Sequence, residues 1–372
     1  MLSWLAALRR RWAGAREAGS EAAARVARAA APREPQLQGS GGAPAPEPAL
    51  AAASDEVHPF ARFATALAME VPAEPAPLSD EEEAADAALA AAILERFSAS
   101  RPEAASFPSI ALQVLNVVAD PGADVAELSR LVARDPALSA GVLSVANSPV
   151  YRGRMEIETV RDAVARLGLS EVAKVTAAVA ARSLFSPRVR AEGAAVGERW
   201  RAIFSRSVAV GGAAASLALS RPGARADRAY LGGLLHDVGL SLALRALGGL
   251  VADGRVPPPA PERLARALDR VHVEVGGEAH QAWGLPQYLT VLCVRHHDEA
   301  VPADPEFVDL HAVRLASALA LLGDPPVAAR AGREVAQSAG ALGLDVFAVR
   351  SLAAELRQGH ERARAAFGGA RG

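Results

Sequence analysis

Five of the eight histidines in this chain fall between His236 and His297, and that stretch is where the residue types support chemistry. Its sharpest element is Leu234-Leu-His236-Asp237-Val-Gly239, an imidazole beside a carboxylate in an apolar helical run that reads as stopping at Gly239. Neighbouring helical positions differ by about 100°, yet both side chains reach one ion when the helix lies tangentially to it. Imidazole and carboxylate are donors that a divalent transition metal accepts. His272 and the His296-His297 pair add three more imidazoles. Without a ligand, His272 reads as a helix-start residue hydrogen-bonded locally. In the same reading one of His296 and His297 is packed and the other solvated at a helix end, where positive charge is favourable.

Helices must position these groups. Ala supplies 88 of the 372 residues, and of 40 basic residues all but Lys174 are arginine. Ala and Arg are strong helix formers, whereas aromatic residues, at 4%, are scarce. No segment alternates apolar and polar residues over a strand length, so the expected class is all-α. Ser79-Asp-Glu-Glu82 is a capping box ahead of a helix reaching about Phe97. Pro108 opens a stretch with Ile110, Val114, Val117 and Val118 on one face. Asp124 to Glu127 is a second capping box, and Asp135-Pro136 is a cap with a first-turn proline before a helix stopping at Asn147-Ser-Pro149. Further starts lie at Thr159 and Ser170, separated by Gly168. A long helix is expected over 194–220, another over 225–238, shorter ones after Pro261 and Val273, and one from Pro286 to His296. Residues 304–366 add two or three more.

Forty basic against 42 acidic residues leave no net field for general nucleic-acid binding. Cys293 is the single cysteine, which excludes an internal disulfide and every Cys-rich zinc scaffold and fits a reducing cytoplasm. No run of eighteen apolar residues occurs, so no membrane span is expected. Leu5, Leu8 and Trp12 beside Arg9, Arg10 and Arg11 have the spacing of an interfacial amphipathic helix, able to make weak peripheral membrane contact. A solvated helix or tail is the favoured reading. Prolines interrupt the rest of residues 1–78, which read as a disordered, low-complexity region. Within it, His58-Pro-Phe-Ala-Arg-Phe63 and the following Ala-Leu-Ala-Met69 form a small apolar island, more readily read as part of the linker than as a docking element.

Several stretches, in order, resemble one family: Phe107-Pro-Ser-Ile110; Arg134-Asp-Pro-Ala-Leu138; Ala146-Asn-Ser-Pro-Val-Tyr151; the helix from Ala163 to Leu169; Tyr230-Leu-Gly-Gly-Leu-Leu-His-Asp-Val-Gly239; His272-Val-Glu-Val-Gly276; Trp283-Gly-Leu-Pro286; and Arg295-His-His297. They resemble the HDOD domain, the HD-related output domain of bacterial signalling proteins, over about residues 107–298. The resemblance implies an N-terminal helical lobe and an HD-like helical lobe. The chain then divides into residues 1–78, a connecting helix at 79–104, the HDOD domain at 105–300, and a helical C-terminal extension at 301–372.

The wider HD phosphohydrolase superfamily, which this chain resembles, holds a metal with an upstream His, the His-Asp pair and a distant Asp. Here Arg206-Ser-Val-Ala209 matches a His-Ser-Leu-Ala stretch, so a permanent cation stands at the first ligand position. Ser317, in Val313-Arg-Leu-Ala-Ser317, stands at the distal Asp position, and Leu240 replaces a lysine. His272, His296 and His297 resemble extra ligands of HD-GYP cyclic-dinucleotide phosphodiesterases, although the Gly-Tyr-Pro motif of that family is missing after His297. The residual metal set implied is therefore His236, Asp237, His272, His296 and His297. A buried Asp237 needs a countercharge or a proton, so Arg206 is expected to pair with it in place of an ion. The function implied is a non-catalytic cytoplasmic signal-transduction module with no cofactor, whose partners are other signalling proteins. The alternative is a metal-dependent phosphodiesterase acting on a cyclic dinucleotide or another phosphoester.

Overall fold

The computed structural model describes residues 60–367 apart from 101–108, 111–112, 115–116, 118–121, 123, 152, 154 and 187–189, with 125, 137 and 190–198 described as backbone only. The N-terminal stretch at residues 1–12, the tract up to residue 59, the Phe107-Pro108 start and the Asp120-Pro121 stop lie outside the described residues. Every regular element among the described residues is helical, as the composition requires.

The connecting helix α2 (Asp80–Ala99) follows a short α1 (Ala61–Leu67). Ser79 caps α2 with the full reciprocal box, accepting from Glu82 N–H while Glu82 accepts from Ser79 N–H. The first lobe contains α3 (Val125–Ala133), α4 (Pro136–Ala146), α5 (Val160–Leu167) and α6 (Leu169–Ala181). Asp124, Asp135 and Thr159 each cap their helix by accepting the N–H three residues on. Asn147 then latches the following loop, donating to Ile157 O at 2.7 Å and accepting from Ile157 N–H at 2.8 Å.

The second lobe is built around α7 (Arg190–Leu219), which packs on α8 (Ala226–Leu235), α9 (Val238–Ala252), α12 (Val308–Leu321) and α14 (Val346–Phe367). Between them in the chain come α10 (Pro261–Ala282), α11 (Gln287–Arg295) and α13 (Ala328–Ala341). One core joins the first lobe to α2, α9 and α10; a second gathers α1, α7, α12, α13 and α14. Two stretches, Arg199–Leu219 and Ala226–Ala252, are long and apolar enough to cross a membrane by composition alone. Most of their residues are buried within the fold, as in core helices.

Three sequence expectations are corrected here. The single helix over 225–238 is two, broken at His236-Asp237, and α9 had no counterpart in the sequence reading. Gly239, the expected stop, has no positive φ, and the positive-φ glycine that follows α9 is Gly254, at 68°. Gly239 lies inside a helix because a Cβ there would stand 1.9 Å from His272 O and 2.6 Å from Gly276 N. Secondly, the shorter helices after Pro261 and Val273 are one helix of 22 residues, α10, followed by Gly284 at φ 63°. Thirdly, the island before Met69 is folded: Phe60 and Phe63 are fully buried in the second core, where α1 packs on α14.

The contact at Gly239 brings α9 and α10 together backbone to backbone, and on α10 a Cβ at Gly276 would stand 2.7 Å from Cys293 Sγ of α11. Three helices therefore meet where only small atoms fit, and each carries a polar residue a few positions away. Gly239→Ala should lower stability by about 3 kcal/mol or more through forced separation of α9 from α10. Gly212→Ala, on α7 with nothing within 4 Å of the new carbon, should raise it by about 0.5–1 kcal/mol. Urea denaturation of the two variants checks the pair.

Candidate functional site

His236 and Asp237 occupy the two-residue break between α8 and α9. His236 is the C-cap of α8, with αR backbone, and Asp237 precedes α9 at φ −100°, ψ 14° without capping it. Its carboxylate instead turns into the space enclosed by α7, α10 and α11. Arg206 of α7 places Nη2 at 3.1 Å from Asp237 Oδ2, and His236 Nε2 is 3.3 Å from the same oxygen. On the other side, Oδ1 faces His296 Nε2 at 3.4 Å and His272 Nε2 at 3.8 Å. His272 and His296 approach each other at 3.4 Å through the same nitrogens. Ser317 of α12 lies 3.0 Å from His236 Nε2. His297, against the His296 ring at 3.9 Å between centroids, completes the group.

Each of His236, His272 and His296 is oriented the same way, because its Nδ1 meets the carbonyl oxygen three residues earlier. The partners are Gly233 O at 2.8 Å, Asp269 O at 2.9 Å and Cys293 O at 2.7 Å. A carbonyl only accepts, so in the neutral ring Nδ1 carries the hydrogen and Nε2 presents a lone pair. This arrangement also fixes the tautomer of metal-ligating histidines. Its consequence differs on the two faces of Asp237. At Oδ2 the Arg206 guanidinium donates, and the Ser317 hydroxyl is able to donate to His236. At Oδ1 two lone pairs and a carboxylate oxygen converge with no intrinsic hydrogen among them, an arrangement that a shared proton, a water or a cation would relieve.

Burial works against the charge on Asp237, but His236, His296 and Arg206 together outweigh it and hold the carboxyl well below its usual range. Burial pushes His296 down to about 4. Burial, with His296 and Arg330 nearby, holds His297 well below its ordinary value. His296 and His297 are thus kept neutral, the state in which imidazole binds metal. His272, His296 and His297 each offer a ligand nitrogen within 4.8 Å of the others, as do the ligand atoms of His236, Asp237 and His296. The donor atoms form two overlapping groups, three imidazoles in one and two imidazoles with a carboxylate in the other, and both suit a divalent transition metal.

The structure brings together His236, Asp237, His272, His296 and His297, with Arg206 and Ser317 at their edge. His272 lies within α10 and not at a helix start, and both members of the His296-His297 pair turn inward. His280, the remaining histidine of this stretch, is fully buried beside Trp283 and does not join the group. Sequence reading missed Glu334 of α13, whose Oε1 is 2.8 Å from His297 Nδ1. It is buried, and burial raises it to about 7 against the pull of Arg330 and Arg314. A signal was present: Ala331, Glu334, Val335 and Ser338 share one helical face, and three of the four suit a core.

The family model for the HDOD domain matches residues 104–299. Among solved structures, an HDOD domain protein from Geobacter sulfurreducens, of unknown function, is 22% identical with a TM-score of 0.50, over 74% of this chain and 99% of that one. A candidate metal-dependent phosphohydrolase from Shewanella amazonensis is 21% identical with a TM-score of 0.48, over 73% and 99% respectively. A candidate signal transduction protein from Marinobacter aquaeolei is 23% identical with a TM-score of 0.49, over 70% of this chain and 58% of that one. No curated protein matches the chain. The Geobacter likeness shows the fold.

Removing Arg206 leaves a carboxylate that is 3% exposed without its guanidinium. Arg206→Ala should cost on the order of 3 kcal/mol in urea denaturation, and Arg206→Lys should recover part of it. A pH series should show a second effect. His280 is pushed by burial from 6.5 to about 4. A depressed histidine favours the folded state above its unfolded value and loses that contribution as pH falls. The melting temperature of the protein should therefore fall between pH 6.5 and 4, and His280→Leu should flatten that decline.

Proposed function

This chain belongs to the HDOD domain family, and from that premise we propose that it is a non-catalytic signal-transduction output module acting through contacts with other signalling proteins. The observation that carries this reading is the Arg206 guanidinium 3.1 Å from Asp237 Oδ2. A fixed cation at that oxygen neutralises the carboxylate and repels a metal ion at the same place. Ser317 beside His236 supplies a hydroxyl where a hydrolase would need an anionic ligand. A catalytic metal centre normally combines three protein ligands with an open position for water, and a two-metal centre clamps both attacking and leaving oxygens. With the Oδ2 face occupied by Arg206, a two-metal clamp has no second seat. The site then serves as a charge-balanced core that fixes α7, α8, α9, α10 and α11 relative to one another. The unpaired, buried Cys293 suits the cytoplasm as the place of action.

The convergence of lone pairs at Oδ1 favours a second reading, in which one divalent cation is held by Asp237, His272, His296 and His297. When bound, such an ion supplies positive charge and Lewis acidity. The residues of the chain would hold it through neutral imidazoles oriented by backbone carbonyls, while Arg206 keeps the opposite oxygen engaged. This reading makes the module a cation-binding one without turnover.

Elemental analysis of untagged protein and phosphoesterase assays with added manganese, iron or zinc test both readings. The wild type should hold at most one ion per chain and leave cyclic dinucleotides and simple phosphoesters intact. Arg206→His combined with Ser317→Asp should raise the metal content by about one further ion. Turnover of a cyclic dinucleotide by the wild type would remove the non-catalytic proposal.

A further inference from the structure

The helix α13 lies beyond residue 299, outside the stretch that the family model matches, yet it reaches two of the clustered histidines. Glu334 Oε1 stands 2.8 Å from His297 Nδ1, and the side chain is 3% exposed. Four residues earlier, Arg330 forms a two-point pair with Asp269, at 2.7 and 3.2 Å, and its Nε lies 3.7 Å from Glu334 Oε1. Asp269 in turn accepts, through its backbone oxygen, the Nδ1–H of His272 at 2.9 Å. The polar contacts thus run without a break from His297 through Glu334, Arg330 and Asp269 to His272. Among the described residues Glu334 Oε2 has no hydrogen-bond partner, an uncommon state for a buried carboxylate oxygen.

His236, His272 and His296 are aimed by carbonyls of their own helical turns, and their orientation needs nothing else. His297 differs, because its Nδ1 is met by a side chain from another element, at the far side of the loop joining α11 to α12. A carboxylate behind a ligating imidazole fixes its ring and raises its basicity. We propose that Glu334 is a positioning residue for His297, so that the C-terminal extension completes the cation site and the docking of α13 is thermodynamically linked to occupancy of that site by a divalent transition metal. The proposal rests on the cation-binding reading above. Linkage of this kind is reciprocal: whatever a bound ion gains from a docked α13, the docking of α13 gains from the ion. It gives the module a route by which a small inorganic ligand alters the packing of a helix outside the matched domain.

The test uses the untagged full chain and zinc alone. Zinc affinity is measured by competition with a chromophoric chelator for the wild type, Glu334→Gln, His297→Ala and the double variant, with circular dichroism confirming the helical fold. Glu334→Gln should weaken zinc binding by roughly 10–100-fold and should have no further effect when His297 is already alanine. In the wild type, amide exchange over residues 328–341 should slow on adding zinc. Wild-type binding that Glu334→Gln leaves unchanged would overturn the positioning role and spare the cation reading. An equal loss in the His297→Ala background would also overturn it, because Glu334 would then act without His297. Failure of the wild type to bind zinc would remove the cation reading and this inference together. If Glu334→Gln does not fold, the exchange measurement decides alone, and protection unaltered by zinc defeats the linkage.

Discussion

A carboxylate buried in an apolar fold costs several kcal/mol unless charge and hydrogen bonds meet both its oxygens. Asp237 is that carboxylate, and much of the second lobe is arranged around supplying it. Arg206 comes from α7, His236 from the end of α8, His272 from α10, and His296 from the end of α11. Each of the three histidines is also held by a carbonyl of its own helical turn. The break between α8 and α9 serves the same end. Two residues of turn swing the Asp237 side chain off the helix surface and into the space between helices, where a continuous helix would have pointed it along its own face.

The two oxygens of Asp237 have different physical lives. Oδ2 is met by a guanidinium, a charge that no change of pH in the physiological range removes. Oδ1 is met by imidazoles whose hydrogens are already committed to backbone carbonyls, so its balance depends on something not fixed in the covalent structure. The permanent cation at Oδ2 holds that face of the carboxylate whatever meets Oδ1. Backbone contact at Gly239 and Gly276 makes the arrangement stiff, since α9 and α10 have no side chains between them to absorb a shift.

Local chemistry was legible wherever it was local. The caps at Ser79, Asp135 and Thr159 depend on groups three residues apart, and each forms as its residue types require. Gly239 misled for a physical reason. A glycine ends a helix when its backbone takes positive φ, and it sits inside one when another backbone approaches too closely for a Cβ. The residue type is the same in both cases, and only the neighbour distinguishes them. The run from Pro261 to Ala282 misled similarly, because Gly276 and Gly277 weaken a helix on their own and gain it back in packing. Phe60 and Phe63 looked stranded among prolines, since nothing nearby in the chain shows that α14 offers them a surface.

The amino-acid sequence by itself determined that the fold would be helical, where many of its helices begin, and which side-chain types are able to carry chemistry, because propensity, capping and ligand type are properties of short segments. Only the tertiary structure decided that Asp237 has two unlike faces, that Arg206 and His236 meet one of them, and that Glu334 of a later helix reaches His297. Those contacts join residues far apart in the chain, and their distances depend on how closely helices pack, which the spacing of residue types does not encode.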